Sequence, residues 1–387
     1  MISRLSPGGV EFRPLGDTGT FIRGNGLQKK DFTGSGVGCI HYGQVHTHYG
    51  AWATETIAFV SHALAKRLRH ARTGDLVIAT TSEDDEAVGK AVAWLGTDDV
   101  AVSSDACIYR HSLDPKYVAY FFQSEQFQRQ KRPHITGTKV RRLSGEGLSK
   151  IRIPVPPLEI QREIVKVLDN FTELEAELEA ELEARRRQYQ HYRDVLLGLA
   201  GTGKQSPALK TLGEIAVNLD SKRRPVTRAA RRPGAIPYYG ASGIIDYVSD
   251  YIFDGDFLLV SEDGANLLAR SSPIAFSISG KSWVNNHAHV LRFDSYAARR
   301  FVEIYLNSID LSPFVSGGAQ PKLNQANLNR LPIPVPAPAE QARIVALLDK
   351  FEALVNDVSN GLPAELKARR QQYKYYRDRL LTFSEAA

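Results

Sequence analysis

The sequence is poor in the residues that several common classes of protein need. Its 387 residues include only two cysteines, Cys39 and Cys107, which do not make a disulfide framework or a cysteine-rich metal site. No run of about 18 apolar residues occurs, so no membrane-spanning helix is predicted. The first ten residues lack the basic-then-apolar pattern of a secretory signal. These absences favour a cytoplasmic protein with no membrane partner.

Acidic residues are missing from two segments that are rich in lysine and arginine. The net charge is +6, and the excess is concentrated. Residues 129–145 contain six lysines and arginines without an acid, and residues 221–245 contain six more, again without an acid. Two solvated loops are one interpretation. Because the two segments lie in comparable halves of the chain, we favour contact with the phosphates of a nucleic acid.

Motifs that carry chemistry are also scarce. Gly198–Lys204 has the spacing of a phosphate-binding loop, but Gln205 stands where a serine or threonine would hold magnesium. We interpret the segment as a linker, with nucleotide binding as the alternative. His41, His46 and His48 have no fourth ligand at a suitable spacing, so no metal is predicted. We expect no catalytic residue and no cofactor on this chain.

An internal repeat organises the chain. Residues 153–171 align with 333–351 at an offset of 180, with 10 of 19 positions identical. Residues 184–197 align with 368–381 at an offset of 184, with 10 of 14 identical. The change of four residues is about one helical turn. Leu-Glu-Ala-Glu tetrads recur within residues 174–184, and we interpret this tract as the additional turn of the first copy, a spacer whose length sets a distance.

Each copy is predicted to form a long helix after a proline-rich extended stretch. A helix of about 40 residues should end at Gly198, and an equivalent one should run from about Ala339 to Thr382, kinked at residues 360–363. Two similar long helices predict an antiparallel coiled coil. The apolar stripe of the first copy consists of Ile160, Ile164, Val167, Phe171, Leu174, Leu178, Leu182, Tyr189, Tyr192 and Leu196.

The segments before the helices resemble each other weakly and are rich in predicted strands. Strands are expected after Asp75, near Val100, after Asp256 and near His287, and short helices over residues 114–127 and 296–307. The predicted fold class is α+β, with two pseudo-repeated mixed domains alternating with two long helices. The predicted boundaries are 1–152 and 201–332 for the domains, and 153–200 and 333–387 for the helices.

Residues predicted to contact DNA lie in or near the basic segments and the loops beside them. The sequence Tyr238-Tyr239-Gly240-Ala241-Ser242 follows the second segment, and its small polar residues permit close approach to a groove. A buried tyrosine pair on a strand is the alternative. The predicted set is His41, Tyr42, Lys139, Arg141, Arg142, Lys222, Arg223, Arg224, Tyr238, Tyr239, Ser242, Lys281 and Asn285.

The repeated Ile-Pro-Val-Pro blocks, the paired helix ends (RR-x-Q-Y-x-x-Y-R-D-x-LL) and the sequence YYGASG resemble the specificity subunits of type I restriction-modification systems. The resemblance covers essentially the whole chain. It implies two recognition domains that each read half of a bipartite DNA site, and helices that separate them. It also implies two methyltransferase subunits that bind S-adenosylmethionine, and in some assemblies a translocating endonuclease subunit.

The helix residues that we assign to the spacer and to partner binding are Ile164, Leu168, Leu174, Leu178, Tyr189, Ile344, Leu348 and Tyr373. Two other classes of function stay open beside a recognition subunit. One is an enzyme that acts on nucleotides through residues 198–204. The other is a coiled-coil adaptor that binds all duplexes equally.

Overall fold

The computed structural model describes residues 9–199, 207–317 and 320–386. The chain divides into two compact units, which we call unit 1 (Met1–Glu179 with Glu365–Ala387) and unit 2 (Ala180–Ala364). Each unit contains a strand-rich domain and parts of two long helical regions. Residues 200–206 lie outside the described residues. They include most of the glycine-rich segment Gly198–Lys204, for which nucleotide binding is the alternative interpretation.

The described part of the domain of unit 1 is built from short strands and six short α-helices. The strands are β1 (Phe12–Pro14), β2 (Gly19–Arg23), β3 (Val37–Ile40), β4 (Trp52–Ala53), β5 (Ala58–Val60), β6 (His70–Ala71), β7 (Leu76–Ala79), β8 (Thr81–Ser82), β9 (Ala91–Trp94), β10 (Val100–Val102), β11 (Ala106–His111), β12 (Ile135–Thr136), β13 (Arg141–Leu143) and β14 (Arg152–Pro154). The helices are α1 (Leu15–Thr18), α2 (Tyr42–Thr47), α3 (His62–Ala65), α4 (Pro115–Gln123), α5 (Glu125–Lys131) and α6 (Gly145–Ser149).

The core of unit 1 lies around a five-stranded sheet with the order β2-β11-β7-β9-β4. Strands β7 and β9 are four-residue apolar runs whose side chains are all buried, because other elements cover both faces of the sheet. Helix α4 packs on this core with Tyr117, Tyr120 and Phe121 fully buried. A four-stranded sheet (β5-β3-β10-β6) and a three-stranded sheet (β12-β13-β8) complete the domain.

Unit 2 has fewer but longer strands. They are β15 (Leu209–Thr211), β16 (Val217–Asn218), β17 (Pro233–Gly240), β18 (Gly243–Val248), β19 (Phe253–Ser261), β20 (Ala275–Val284), β21 (Ala288–Arg292) and β22 (Pro332–Pro334). Six of them form one sheet with the order β16-β21-β19-β20-β17-β18. The four strands predicted from the sequence are present, two in each unit. The short helical stretch predicted over residues 114–127 forms α4 and α5, and the stretch predicted over residues 296–307 forms one helix, residues 296–308.

The Ile-Pro-Val-Pro blocks close the two domains in the same way. In unit 1, β14 pairs antiparallel with β1, and in unit 2, β22 pairs antiparallel with β15. The backbone N–H of Leu15 donates to the carbonyl of Ile151 at 2.8 Å, and that of Leu212 donates to Leu331 at 2.9 Å. The proline-rich stretches are therefore extended, as predicted, and each joins the first strand of its domain to the helix that follows.

The first long helix, α7 (Leu158–Leu196), is continuous over 39 residues. In the remainder of the chain the helices are α8 (Leu212–Ile215), α9 (Asn266–Ala269), α10 (Tyr296–Ser308), α11 (Gln325–Asn329), α12 (Pro338–Asn356) and α13 (Leu362–Leu380). The second long helix is thus interrupted between α12 and α13, close to the kink that the sequence predicts. A Cβ on Gly361 would lie 2.5 Å from the carbonyl oxygen of Ala353, so the chain turns there against the end of α12.

The four additional residues of the repeat belong to the second copy. Phe171 and Ala184 are 13 positions apart, whereas the matching Phe351 and Ala368 are 17 apart. The interpretation of the tetrad tract as an insertion into the first copy is therefore wrong. The structure accommodates the longer spacing of the second copy in the non-helical segment 357–361, while the tetrads lie inside a continuous helix.

Each domain core buries the first half of the long helix that follows it in the sequence. In unit 1, Ile164 and Leu168 of α7 join the core, and in unit 2, Ile344 and Leu348 of α12 occupy the equivalent places. The carboxylate of Asp169 in α7 accepts hydrogen bonds from Lys116 at 2.7 Å and from Tyr120 at 2.6 Å. Its counterpart Asp349 accepts from Tyr296 at 2.9 Å and from Arg300 at 2.8 Å.

Each unit also contains the second half of the other long helix, which runs antiparallel to the first. In unit 1, Tyr376 of α13 stacks on Phe171 of α7 at 5.4 Å, and Arg370 forms ion pairs with Glu175 and Glu179. In unit 2, Tyr192 of α7 lies 6.0 Å from Phe351 of α12. The prediction of an antiparallel helix pair is confirmed.

The buried face of α7 differs from the predicted stripe. Val167, Leu174 and Tyr192 are 38%, 46% and 43% exposed, whereas Val165, which lies outside the stripe, is buried. The helix is rotated so that its most apolar face meets the domain core instead of the other long helix. Val167, Leu174 and Tyr192 then lie at the margin of that contact or outside it, whereas Ile160 and Ile164 of the stripe belong to the core.

Two leucines of α7 offer a direct test of this orientation. Leu168→Ala should lower the free energy of unfolding by about 2–5 kcal/mol, because Leu168 is fully buried and its removal leaves a cavity. Leu174→Ala should change it by less than about 0.5 kcal/mol, because the side chain is largely exposed. Urea unfolding followed by circular dichroism measures both variants, and equal effects would contradict the orientation.

Candidate nucleic-acid interface

A small hairpin of unit 1, β12 and β13, carries three of the predicted contact residues. Lys139 and Arg142 are exposed. Arg141 is partly buried, pairs with Asp85 at 2.9 Å and donates to the carbonyl of Gly137 at 2.6 Å. Lys139 and Arg142 therefore stay in the predicted contact set, while Arg141 holds the hairpin turn in place.

Lys131 belongs to the same basic segment but lies inside the domain. Its side chain is fully buried, and its ammonium group donates to the carbonyls of Glu86 at 2.7 Å and Val88 at 2.6 Å. Burial lowers the pKa of Lys131 to about 8, although nearby Asp84 and Glu86 oppose the shift. This lysine ties the loop before β9 to α5 and is not available to a nucleic acid.

Beside the hairpin, unit 1 has a groove whose polar lining comes from distant parts of the sequence. Its polar residues include Arg23, Thr80, Thr81, Asp105, Arg142 and Ser144. The Thr80 hydroxyl donates to the carbonyl of Asp105 at 2.9 Å, which fixes two of these residues relative to each other. Donors and acceptors at close quarters suit the edges of base pairs. Sequence analysis missed Arg23 and Asp105, because only the pairing of β2, β11 and β7 brings them together.

His41 and Tyr42 lie at the start of α2. The Nδ1 atom of His41 accepts the N–H of Gly43 at 3.2 Å, so its Nε2 atom carries the hydrogen. Burial lowers the pKa of His41, Lys29 lowers it further and Asp105 opposes the shift. The ring is therefore neutral at pH 7 and keeps one donor. Burial raises the pKa of the neighbouring Cys39 thiol to about 12, which disfavours a thiolate metal ligand there.

The basic loop of unit 2 uses some of its arginines internally. Arg223 is only 13% exposed and donates to Glu262 at 2.6 Å and to the carbonyl of Ala288 at 2.8 Å. Arg231 pairs with Asp246 at 3.0 Å. We therefore remove Arg223 from the predicted contact set. The basic side chains of the loop that remain exposed are Lys222, Arg224, Arg228 and Arg232.

A buried charge network supports this loop. The Nδ1 atom of His289 lies 2.5 Å from the carboxylate of Asp220, and its Nε2 atom lies 2.7 Å from the carbonyl of Leu323. Both partners offer oxygen acceptors, so both ring nitrogens lie where they can donate. Asp220, His289 and Glu262 are close enough to bind a metal together. Their charges are instead balanced within the protein, since Arg223 contacts both carboxylates.

The carboxyl groups of this network are held ionised. Burial raises the pKa of Asp220, but the hydrogen bonds and charge of His289, the Val290 N–H and Arg223 outweigh burial, so the net pKa is lowered. Glu262 behaves in the same way, with Arg223 and His289 outweighing burial. The charges therefore stabilise the folded state as long as both carboxyl groups stay deprotonated.

The remaining predicted contacts of unit 2 lie on or near the β17–β18 hairpin. Tyr238 is 1% exposed, and its hydroxyl is hydrogen-bonded to the backbone of Val226. Asn285 is 6% exposed and accepts the N–H of His287 at 2.8 Å. These two side chains support the surface from inside, so we remove them from the contact set. Tyr239 is partly buried, and Ser242 and Lys281 are exposed.

The predicted partner-binding residues fall into two groups. Ile164, Leu168, Ile344 and Leu348 are buried in the domain cores and are not available to a partner. The structure places Leu178, Tyr189 and Tyr373 in partly buried positions and leaves Leu174 exposed.

Two equivalent apolar patches are exposed on the long helices. Helix patch 1, in unit 1, consists of Val167, Phe171, Leu174 and Tyr376; helix patch 2, in unit 2, consists of Leu347, Phe351, Leu354 and Tyr192. Six of the eight residues are at least 36% exposed, and the two phenylalanines are partly exposed. Every member of one patch matches a member of the other at the offsets of the repeat. The repeat thus preserves an exposed surface as well as two cores.

Comparisons with known proteins agree with this architecture. The model of the type I restriction modification DNA specificity domain matches residues 7–184 and 208–368. A relative from Escherichia coli, the type I restriction enzyme EcoR124I/EcoR124II specificity subunit, is 31% identical over 293 residues, which cover 69% of this chain and 70% of the relative. A Haemophilus influenzae protein that is named as a type I restriction enzyme specificity subunit is 39% identical over 180 residues. That alignment covers 46% of each chain.

Solved structures share the fold. The S subunit of the type I restriction-modification system from M. genitalium is 15% identical, with a TM-score of 0.54 over 96% of each chain. A chain from a study of complex assembly and conformational transition of the type I R-M system is 16% identical, with a TM-score of 0.60 over 97% of this chain and 98% of that chain.

The matched family model describes a DNA specificity domain, and it covers both halves of the chain. The chain belongs to the type I restriction modification DNA specificity domain family. Within the described ranges, no helix is long and apolar enough to cross a membrane.

The buried network predicts how acid affects unit 2. Because the pKa values of Asp220 and Glu262 are lowered in the folded state, their stabilisation is present above the unfolded values near pH 4 and is lost as the pH falls below them. Asp220→Asn should cost about 3–5 kcal/mol at pH 7, because His289 and Arg223 lose a buried counter-charge. Urea unfolding between pH 7 and pH 3 measures both effects.

The exposed Asp254 provides a matched control on the same sheet. Asp254→Asn should change the free energy of unfolding at pH 7 by less than about 0.5 kcal/mol. A change as small for Asp220→Asn as for Asp254→Asn would contradict the ionised network. So would an Asp220→Asn variant whose free energy of unfolding falls as much between pH 7 and pH 3 as that of the unmodified chain.

Proposed function

We propose that this chain is the non-catalytic DNA-recognition subunit of a type I restriction-modification complex, in which each unit reads one half of a bipartite site. The observation that carries the proposal is the duplicated architecture. Two domains with exposed lysines and arginines each continue into one long helical region, and the chain matches the specificity family in both halves.

The surfaces of the two units support DNA reading. Lys139, Arg142, Lys222 and Arg224 are exposed, and long cations of this kind neutralise phosphates without regard to sequence. The groove of unit 1 adds fixed donors and acceptors at Thr80 and Asp105, which can discriminate base edges. An adaptor without base readout would have no need of such a groove.

The helix patches support docking of two copies of one partner. An amphipathic helix that lays apolar residues at three- and four-residue spacing into such a surface would cover either patch in the same way. We assign the patches to two methyltransferase subunits, which would supply S-adenosylmethionine and the methyl-transfer chemistry. In assemblies that also cleave DNA, an endonuclease and translocase subunit would join.

The tetrad tract supports a spacer of adjustable length. Arg370 pairs with Glu175 and Glu179, which hold the same place in successive tetrads. Removing residues 174–177 would bring Glu179 and Glu183 into those places, so the contact with Arg370 would form again. The tract can therefore lose a tetrad, about 6 Å of helix and about 40° of rotation, without losing its packing in unit 1.

Deleting residues 174–177 tests the function and the spacer together. Methylome sequencing of a host that carries the full chain with its methyltransferase partner should return a bipartite motif. The deletion should shorten the unread gap by about one base pair, a step of about 34–36° that is close to the rotation removed, and should leave both half-sites unchanged.

Glu175→Gln combined with Glu179→Gln is the matched control, because it removes the ion pairs and keeps the helix length. That variant should return the parental motif. A parental motif from the deletion would refute the spacer, and a single undivided motif or none at all would refute the recognition function.

Phe171→Asp should remove one methyltransferase copy from the complex, and Phe351→Asp the other, because each places a charge in the centre of an apolar patch. Native mass spectrometry of the purified complex counts the copies. Val358→Asp, at a 74% exposed position outside both patches, is the control and should keep two copies. Two retained copies in both phenylalanine variants would contradict the assignment of the patches.

A further inference from the structure

The β17–β18 hairpin of unit 2 ends in an exposed apolar tip. Ile244 and Ile245, directly after the turn, are 47% and 53% exposed, and Tyr247 is 52% exposed. Strand β18 is the outermost strand of the six-stranded sheet. An outer strand with adjacent exposed isoleucines invites aggregation, and proteins commonly place charges there instead. An exposed apolar tip of this kind is suited to contact with a partner.

The two isoleucines lie at an irregularity in the strand pairing of the tip. Ile244 pairs with Tyr239 across the hairpin. Ile245 packs over Gly240, where a Cβ would lie 3.2 Å from its Cγ2 atom. The pairing of β17 with β18 shifts between Tyr238 and Tyr239, so Ile245 has no partner across the hairpin, and this bulge lies at the exposed apolar tip. Gly243, with a φ of +123°, forms the turn that presents the pair.

The surroundings of the tip suit a polyanion. The basic loop is fastened along the hairpin, because Trp283 donates to the carbonyl of Arg224 at 2.6 Å and the guanidinium group of Arg231 lies 4.3 Å from the centre of the Tyr238 ring. The exposed arginines of the loop are thereby held beside β17 and β18. Of the two acidic residues nearest in sequence, Asp246 pairs with Arg231 at 3.0 Å, and Asp250 follows the far end of β18, where it lines a cavity with Arg231 and Arg232.

We propose that Ile244 and Ile245 form an apolar wedge that enters between adjacent base pairs of duplex DNA in the half-site read by unit 2. Apolar side chains of this size unstack and kink DNA in proteins that bend it, and nearby cations hold the phosphates on either side. The proposal rests on the recognition function proposed above. It adds a second source of specificity, the energy needed to open a base step. That energy depends on the DNA sequence even where the protein does not contact the base edges.

The corresponding segment of unit 1 is built differently. The sequence counterpart of Tyr238-Tyr239-Gly240 is His41-Tyr42-Gly43, and there the chain enters helix α2 instead of a hairpin. We therefore assign the wedge to the half-site read by unit 2 alone, and we expect no opened base step in the half-site read by unit 1.

The test uses the full chain with its methyltransferase partner and duplexes that carry 2-aminopurine at successive positions of the methylated motif, except at the methylated base and its neighbours, because the methyltransferase itself takes its target base out of the stack. Stacking quenches this base, so binding of the unmodified complex should raise its fluorescence at one step of the half-site assigned to unit 2. Ile244→Ala with Ile245→Ala should abolish the rise and weaken specific binding about 10-fold, because two exposed apolar side chains lose their burial on binding. The matched control is Ile57→Ala in unit 1, at an isoleucine that is 51% exposed.

Three results would overturn the wedge. The first is a fluorescence rise that survives in the double variant, and the second is the absence of any rise with the unmodified complex although it binds its motif. The third is loss of the methyltransferase subunit from the double variant, which would make the tip a protein interface. Failure of the unmodified complex to prefer its motif over other duplexes would instead refute the recognition function itself.

Discussion

The structure depends on the burial of one face of each long helix against the domain that precedes it. Ile164 and Leu168 belong to the core of unit 1, and Ile344 and Leu348 belong to that of unit 2. Asp169 and Asp349 fix the same contact by hydrogen bonds to a short helix of the domain. Because this face is already occupied, the helices cannot also bury all their other apolar residues, and the two helix patches stay exposed.

This division of the helix surface explains what the sequence could and could not predict. The repeat and the apolar spacing were enough for the helices, their antiparallel pairing and the strand-rich domains. They could not show which apolar side chains face a core, because a stripe at three- and four-residue spacing looks the same in either orientation. Val167 and Leu174 belong to the predicted apolar stripe, yet the structure leaves both exposed.

The sequence predicts the region of the candidate interface better than it predicts the individual residues. Lys131, Arg223 and Tyr238 all lie in the segments that the charge pattern indicates, yet Lys131 and Tyr238 are buried and bonded to backbone, and the partly buried Arg223 is bonded to an acid that is distant in the sequence. Composition shows where positive charge is concentrated, but only the fold shows which cations have internal partners. The reverse holds for Arg23 and Asp105, which have no local sequence signal.

The two copies of the repeat are similar in their helices and much less similar in their domains. Their helix blocks are identical at 10 of 19 and 10 of 14 positions, and these include residues of both cores and of both helix patches. The domains match only weakly, and at the position of the β17–β18 hairpin unit 1 has a helix. A surface that must bind the same partner twice is constrained to stay the same, whereas two surfaces that read different sequences are not. Under the function proposed above, the repeat carries two unlike readers, and the site they recognise should be asymmetric.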